Sequence, residues 1–325
     1  MTTAAAAGAS DREIAAAGEL FARIEREVAT VLVGQVALVR RLLVALLADG
    51  HALIEGVPGL GKSLAVAALA KASGLQFRRV QFTPDLLPAD VIGTQVFRPG
   101  DGSFSVRKGP LFAELVLADE INRAPPKVQS ALLEAMQERQ VTIGEQSLPL
   151  PRPFVVFATQ NPIEHDGTYP LPEAELDRFL FKIRIGYPAR DEEEQILVRH
   201  GRGAPSRDVA AVASREALLA ARGLLDRVHA EPAIRDYVLR LVAATRDPAR
   251  RELRLGASPR AALSLLVAAK AAALLEGRAY VTPGDVKALA PDVLRHRLLL
   301  SFEAEAAGRT VDALLDELLR AVPVP

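Results

Sequence analysis

Alternation between apolar and polar stretches divides the chain into strand and helix candidates. Five short segments predict β-strands at 51–55, 77–82, 115–118, 154–158 and 181–185. Helical periodicity occurs between most of them and before the first, at 15–31, 35–48 and 64–71. The run at 115–118 is apolar throughout, as expected of a strand that is covered on both faces. This alternation predicts an α/β fold with a parallel five-stranded sheet.

Two segments interrupt the alternation. The first, 84–110, contains Pro, Gly and Asp residues around short apolar groups, and it is interpreted as an insertion with small strands, centred on 84–106. The second, 140–153, has two short apolar runs on either side of Gly144, which predicts a β-hairpin at about 140–150. Both segments are expected to be additions to the main sheet.

The pattern changes after residue 188. A charged helix is predicted at 190–200, and a Gly/Pro/Ser-rich linker or loop at 201–206. Everything from residue 215 onward has helical character, with helix starts at Ser258-Pro259 and Thr282-Pro283. We therefore expect an α/β domain at 1–190 and an all-α domain at 191–325.

Composition excludes several classes of site. A chain of 325 residues with 50% hydrophobic content can form two domains with their own cores. Its 40 basic and 40 acidic residues cancel, so the strongly basic charge typical of nucleic-acid binding is absent. There is no Cys, which rules out disulfides and thiolate metal sites, and the five His residues show no metal-ligand spacing.

The beginning of the chain predicts a cytoplasmic location. Residues 1–10 are Ala-rich and lack a basic region followed by an apolar core, so they do not resemble a signal peptide. No apolar run approaches the ~20 residues that a membrane-spanning helix needs. We expect no membrane insertion.

The strongest chemical signal is a glycine-rich loop between the first predicted strand and a helix. It matches the pattern G-x-x-x-x-G-K-[ST] at every fixed position, through Gly56, Val57, Pro58, Gly59, Leu60, Gly61, Lys62 and Ser63. Such a loop surrounds phosphates with backbone N–H groups at a helix N-terminus. We expect Lys62 to reach the β- and γ-phosphates, Ser63 to ligate Mg²⁺ and Leu64 to complete the nucleotide contacts. The alternative is a chance glycine-rich turn.

Two further strand ends carry polar groups suited to hydrolysis. The run at 115–118 ends in Asp119, a candidate for holding Mg²⁺, and Glu120, a candidate for polarising the attacking water. The next strand ends near Asn161, which could orient that water or sense the γ-phosphate. The alternatives are an ordinary acidic turn for the carboxylates and an Asx-turn before Pro162 for Asn161.

Two arginines are candidates for phosphate contacts. Arg178 lies just before the fifth strand, where it could serve as an arginine finger for a neighbouring subunit or simply pair with Asp177. Arg260 lies in the first turn of a helix, where a cation opposes the helix dipole, so a nearby anion such as ATP phosphate would explain it. His296 and Arg297 are candidates for phosphate contacts too, but they are interpreted as part of a basic helix face.

The chain resembles the MoxR family of AAA+ ATPases. The segments 56–63, 119–120, 161, 178 and 258–260 are similar to the Walker A, Walker B, sensor 1, arginine finger and sensor 2 motifs. The segments that are most specific to MoxR-like proteins lie at 81–93, 109–112, 119–127, 158–162 and 171–179. The resemblance extends over about 24–297, with no departure at a motif position.

The resemblance implies a P-loop AAA+ core followed by a helical lid. It also implies a ring, usually a hexamer, in which ATP and Mg²⁺ are bound between subunits, with a helix-2 insertion at 84–106 and a pre-sensor hairpin at 140–150 projecting from it. Lys62, Glu120, Asn161 and Arg178 would be catalytic. MoxR-like proteins are thought to act as chaperones in complex maturation or metal insertion, often with a von Willebrand factor A domain protein.

Two other functions remain open from the sequence. A nucleic-acid-dependent motor would share both insertions, although 140–147 has an acidic tip and no Lys or Arg, where a strand-tracking loop would carry basic or aromatic contacts. A slow nucleotide switch or scaffold would bind ATP without rapid turnover. The complete set of candidate catalytic residues favours an ATPase that remodels a protein client.

Overall fold

The computed structural model describes residues 2–100, 102–163, 167–201 and 208–325. Within them the strands are β1 Ala52–Glu55, β2 Phe77–Gln81, β3 Gly93–Arg98, β4 Ser103–Lys108, β5 Leu115–Asp119, β6 Gln140–Ile143, β7 Gln146–Pro149, β8 Val155–Gln160, β9 Phe181–Arg184, β10 Leu253–Leu255 and β11 Leu299–Leu300. The α-helices are α1 Thr2–Ala29, α2 Val36–Leu47, α3 Lys62–Ala72, α4 Pro88–Ile92, α5 Pro126–Glu138, α6 Glu173–Leu176, α7 Arg190–His200, α8 Arg215–Gly223, α9 Pro232–Ala244, α10 Pro259–Leu275, α11 Pro283–Leu294, α12 Phe302–Ala306 and α13 Val311–Ala321.

The five predicted strands form one parallel sheet in the order β2-β5-β8-β1-β9. Every residue of β1 and β5 is buried, because helices cover both faces of the sheet. β5 and β8 are neighbours, so the polar residues that follow them meet at one edge. The predicted α/β class is confirmed.

Two antiparallel hairpins form separate two-stranded sheets in the two segments that interrupt the alternation. β3 pairs with β4 within the insertion that α4 begins, and β6 pairs with β7 after α5. Gly144 takes a left-handed φ of 62° in the turn between β6 and β7, a conformation that glycine adopts without strain. The predicted insertion and hairpin are therefore present.

The C-terminal part is helical, from α7 to α13, which confirms the predicted lid. The side chain of Thr282 accepts a hydrogen bond from Asp285 N at the start of α11, as the cap prediction requires. The sequence analysis missed a short ribbon in which β10 pairs antiparallel with β11. These strands have three and two residues, too few to show a period of two. Most of the linker predicted at 201–206 lies outside the described residues.

The lid does not stand apart from the α/β part. α10 packs against α1 and α2, and one continuous apolar core joins residues of these helices with α3 and the sheet. A Cβ atom on Gly18 of α1 would lie 2.6 Å from Gly277 Cα, so the two backbones touch where α1 passes the end of α10. The boundary predicted near residue 190 falls where α7 begins. Among the described residues, no helix is long and apolar enough to cross a membrane.

Candidate active site

The glycine-rich loop connects β1 to α3 at the carboxyl end of the sheet. Gly59 and Gly61 take left-handed φ values of 85° and 77°, which turn the loop back toward the N-terminus of α3. A Cβ atom on Gly56 would lie 2.5 Å from Ile185 Cγ1, so only glycine fits where the loop begins. The loop therefore has the conformation of an anion-binding cradle at a helix N-terminus.

Lys62 is the first residue of α3, and its ammonium group is held inside this loop. Lys62 Nζ donates hydrogen bonds to the carbonyl oxygens of Gly56 and Val57, the latter at 2.9 Å. Partial burial lowers the pKa of Lys62, while the charges of Asp119 and Glu120 oppose that shift. The cation is thus placed among carboxylates at the position where phosphates would enter the cradle.

Asp119 ends β5 and is almost buried, with 8% of its side chain exposed. One carboxylate oxygen, Oδ2, accepts a hydrogen bond of 2.9 Å from Ser63 Oγ, and Oδ1 accepts one of 2.5 Å from Thr159 Oγ1. Arg79 Nη2 lies 2.7 Å from Oδ2. Asp119 is therefore held from three sides, by α3, β8 and β2.

Glu120 follows with a left-handed backbone, φ 57°. Gln81 Nε2 and Arg123 Nη1 donate to Glu120 Oε2 at 2.7 and 3.1 Å, and Glu120 N donates to Thr159 Oγ1 at 2.9 Å. The carboxylate is thus oriented at the cavity by residues of β2 and of the turn that follows β5.

The sequence analysis missed Arg79, Gln81 and Thr159 as site residues. Arg79 and Gln81 alternate with Val80, which is buried, so a period of two along β2 was the available signal that both polar side chains share one face. Thr159 sits directly before the Gln160-Asn161 pair at the end of β8, and no local pattern distinguishes it from any buried strand residue.

Asn161 also lies at this edge, beyond the end of β8. Its Oδ1 accepts a hydrogen bond of 3.2 Å from Ile163 N, which is the Asx-turn that the sequence left open. The same residue lines the cavity beside the loop. The Asx-turn and a role of Asn161 near the γ-phosphate are therefore compatible, because the turn holds the side chain in one position beside the cavity.

A cavity of about 380 Å³ brings these groups together. Its walls are Pro58, Gly59, Leu60, Gly61, Lys62, Ser63, Leu64, Arg79, Gln81, Asp119, Glu120, Thr159, Gln160 and Asn161. Ser63 and Asp119 present hard oxygen ligands 2.9 Å apart, which suits Mg²⁺ held by few protein groups and by substrate phosphates. Across the described ranges, no cluster of three or more His, Asp or Glu side chains could hold a metal by itself. The residues fit a nucleotide with its magnesium ion.

Arg178 and Arg260 line a different cavity, of about 310 Å³, together with Arg139 and Arg297. Arg178 lies just before the start of β9, whereas the phosphate loop follows the end of β1. Because β1 and β9 are parallel neighbours, these two points lie at opposite ends of the sheet. Neither arginine therefore faces the phosphate loop of its own chain.

The anion beside Arg260 is a side chain of the same protein. Arg260 Nη1 pairs with Asp177 Oδ2 at 3.2 Å, and Arg297 Nε pairs with Asp177 Oδ1 at 2.6 Å. The expectation that ATP phosphate lies near Arg260 stays a prediction. The interpretation of His296 and Arg297 as a basic helix face was wrong, since both lie in a short 3-10 turn and each is only 7% exposed.

Comparison with known proteins agrees with this arrangement. Residues 51–181 match the family described as "ATPase family associated with various cellular activities (AAA)", and residues 247–318 match the "AAA lid domain". A solved structure described as a putative ATPase from Cytophaga hutchinsonii superposes with a TM-score of 0.90, at 43% identity and over 98% of each chain.

Two curated relatives decide the family. "Chaperone MoxR1" of Mycobacterium tuberculosis is 49% identical over 92% of this chain and 81% of its own. "Protein MoxR" of Paracoccus denitrificans is 36% identical over 91% of this chain and 93% of its own. The chain belongs to the MoxR family of AAA+ ATPases. As a MoxR-family ATPase it binds nucleotide, and the cavity beside the phosphate loop is where its described residues can do so.

Proposed function

We propose that this MoxR-family ATPase hydrolyses ATP with Mg²⁺ as a homo-oligomeric ring and uses the reaction to remodel a protein client. One observation carries the proposal: the phosphate loop with Asp119 and Glu120 lies at one end of the sheet, and Arg178 with Arg260 lies at the other. A head-to-tail contact between identical subunits would bring these two halves together, and repeated head-to-tail contacts close into a ring.

The residues of the phosphate cavity have distinct roles in this proposal. Lys62 contacts the β- and γ-phosphates, and Ser63 and Asp119 hold the magnesium ion, which supplies charge stabilisation when bound. Glu120 accepts the proton of the attacking water, and Asn161 orients that water or the γ-phosphate. The held geometry of Asp119 and Glu120 supports these roles, because catalysis of phosphoryl transfer depends on positioning.

The neighbouring subunit supplies the remaining charge. Among the residues that the structure describes, the side chain of Arg178 has no hydrogen-bond or ion-pair partner, although its backbone N donates to Glu175 O, and the side chain lines an open cavity. We infer that Arg178 acts as the arginine finger of the next subunit's site and that Arg260 contacts the same phosphates. Arg260 is 64% exposed, and its pair with Asp177 is of the weak surface type that a phosphate can replace.

The client role is supported by the relatives. One is named a chaperone, and the "Magnesium-chelatase 38 kDa subunit" of Acidiphilium rubrum is 29% identical over 83% of this chain. We propose a hexamer in the cytoplasm that matures complexes or assists metal insertion, with a von Willebrand factor A domain protein as partner. The insertion with β3 and β4 and the hairpin of β6 and β7 would contact the client.

The proposed ring is tested by measuring the ATPase rate and the mass of the assembled protein together. Wild-type specific activity is expected to rise with protein concentration while light scattering reports a ring-sized mass. Lys62→Ala should lose ATP binding, with Lys71→Ala of the same helix as the control, because Lys71 faces solvent and pairs with Asp208. A rate independent of concentration from a monomer would contradict the ring.

Mixed rings test the finger directly. Arg178→Ala alone should bind ATP without hydrolysing it, and addition of Lys62→Ala subunits should restore hydrolysis, because those subunits still donate Arg178. Arg235→Ala, an exposed arginine on α9, is the control and should hydrolyse normally by itself. Full activity of Arg178→Ala alone would refute the proposed site between subunits.

A further inference from the structure

The segment that carries Arg178 is held by a buried arginine of the lid. Arg297 lies in a 3-10 turn after α11, and only 3% of its side chain is exposed. Its side chain reaches the residues on either side of Arg178, which join α6 to β9. The lid and the α/β part thus meet at the backbone from which the proposed finger projects.

All five N–H donors of the Arg297 guanidinium have acceptors. Nε donates to Asp177 Oδ1 at 2.6 Å, Nη2 to the carbonyls of Asp177 and Phe179 at 3.2 and 2.8 Å, and Nη1 to the carbonyls of Leu180 and Val293, the former at 3.3 Å. A buried guanidinium that is satisfied in this way has one orientation, because rotation of its planar fork would break several hydrogen bonds together.

The adjacent His296 adds to the same contact. Its Nε2 lies 3.0 Å from the carbonyl oxygen of Phe179, and the histidine is buried. The carbonyl groups of Asp177, Phe179 and Leu180 therefore all accept from the lid. Arg178 lies within this stretch, but its own side chain faces the cavity that Arg260 also lines.

The carboxylate of Asp177 forms one strong ion pair, with Arg297, and one weaker ion pair, with Arg260, that a phosphate can replace. Its bond to Arg297 is partly buried, since 3% of the Arg297 side chain and 27% of the Asp177 side chain are exposed, and breaking such a pair is costly, whereas its contact with Arg260 is longer and mostly exposed. Arg260 can therefore leave Asp177 for a phosphate, while Arg297 keeps the carboxylate in place. Asp177 holds Arg260 beside Arg178 until that exchange occurs.

We propose that Arg297 is a positioning residue, which through the carboxylate of Asp177 places Arg178 and Arg260 for the nucleotide of the neighbouring subunit. This inference rests on the proposed function, in which both arginines act between subunits. It makes the lid, the finger and the sensor arginine one rigid unit, so a movement of the lid changes the neighbour's site.

The experiment separates the contribution that a subunit makes to its neighbour's site from its own ATP binding. Subunits carrying Lys62→Ala contribute no ATP site of their own. When such subunits are mixed into wild-type rings, the ATPase rate of the remaining wild-type sites therefore measures the contribution of Arg178 and its surroundings from the neighbouring Lys62→Ala subunits. We compare doping with Lys62→Ala alone, with Lys62→Ala plus Asp177→Asn, and with Lys62→Ala plus Arg178→Ala. Asp177→Asn keeps the shape of the side chain, and thermal unfolding with light scattering verifies that the doped subunits fold and enter rings.

The matched control is Lys62→Ala plus Asp312→Asn. Asp312 accepts from Arg295 and Arg184 at the same junction of lid and β9, at 2.9 and 2.6 Å, but does not touch 177–180. We expect Asp177→Asn to lower the kcat of the adjacent wild-type sites by about 10-fold to 100-fold, with a KM for ATP within about 2-fold, as a misplaced catalytic group does. Asp312→Asn should add no loss.

The outcomes separate the two proposals. No added loss from Asp177→Asn, together with a loss from Arg178→Ala, would overturn the positioning role and leave the finger in place. An equal loss from Asp312→Asn would also overturn it, because any weakening of the lid contact would then suffice. No added loss from Arg178→Ala would refute the trans finger, and the positioning role would fall with it.

Discussion

Ser63 Oγ donates a hydrogen bond of 2.9 Å to Asp119 Oδ2, although the two residues are 56 positions apart in the chain. They reach each other across β8, which lies between β1 and β5 in the sheet and contributes Thr159 to the other carboxylate oxygen. The two proposed magnesium ligands are thus set at their separation by the strand order.

Glu120→Gln should stall hydrolysis without loss of ATP binding. An amide cannot take the proton of the attacking water, so we expect kcat to fall by about 10²- to 10⁴-fold. Phosphate release measures the rate, and titration with a fluorescent ATP analogue measures the affinity. Glu145→Gln, an exposed change at the tip of the β6–β7 hairpin, is the control. Rapid turnover by Glu120→Gln would refute the water-activating role.

Thr159→Val should destabilise the fold and weaken the site. The hydroxyl of Thr159 donates to Asp119 and accepts from Glu120 N, and the residue is 1% exposed. Its removal leaves a buried N–H and a carboxylate oxygen without this partner, which costs about 1–3 kcal/mol of unfolding free energy. Urea unfolding measures that loss. Thr142→Val, on the exposed side of a hairpin, should change the free energy little, and equal effects would contradict the assignment.

Stability should fall in mild acid because of a buried histidine. Burial, aided by the charge of Arg139, lowers the pKa of His51 from 6.5 to about 3. The ring is held neutral, with Nδ1 accepting from Val156 N at 2.9 Å. The unfolded chain binds a proton near pH 6.5 and the folded chain does not until about pH 3, so the His51 contribution is complete above that window and is lost as the pH falls through it.

We expect the unfolding free energy to fall by about 1.4 kcal/mol per pH unit for this one proton between those limits. Urea unfolding at several pH values measures the slope. His51→Gln should make the slope shallower, whereas His229→Gln, at a side chain that is 62% exposed, should leave it unchanged. An identical slope in the His51 variant would show that other groups cause the acid sensitivity.

Gly18→Ala should loosen the contact between α1 and the lid. The added methyl would lie 2.6 Å from both N and Cα of Gly277, and backbone atoms there cannot move aside as a flexible side chain would. We expect a loss of about 1–3 kcal/mol in unfolding free energy, as overpacking causes. Gly223→Ala, where no atom lies within 4 Å of the new methyl, is the control. A neutral Gly18→Ala would mean that the two helices separate easily.

Much of the fold and half of the site are encoded locally. The phosphate loop, Lys62 and Ser63 lie within one turn of each other, and strand ends mark Asp119 and Glu120, so their roles can be predicted from spacing and the preceding apolar runs. The two hairpins and the helical character of the lid follow from turn residues and periodicity in the same way. Local patterns determine these elements because backbone conformation depends mainly on neighbouring residues.

Only the tertiary structure decided which distant side chains meet. Asp177 contacts Arg260 and Arg297, which are 83 and 120 positions away, and Arg79 contacts Asp119 across adjacent strands. These pairings depend on the strand order and on how the lid packs against α1, α2 and β9, and no local period records either. The sequence by itself thus determined the chemistry of the phosphate loop, while the strand order and the packing of the lid placed Arg178 and Arg260 at the opposite end of the sheet.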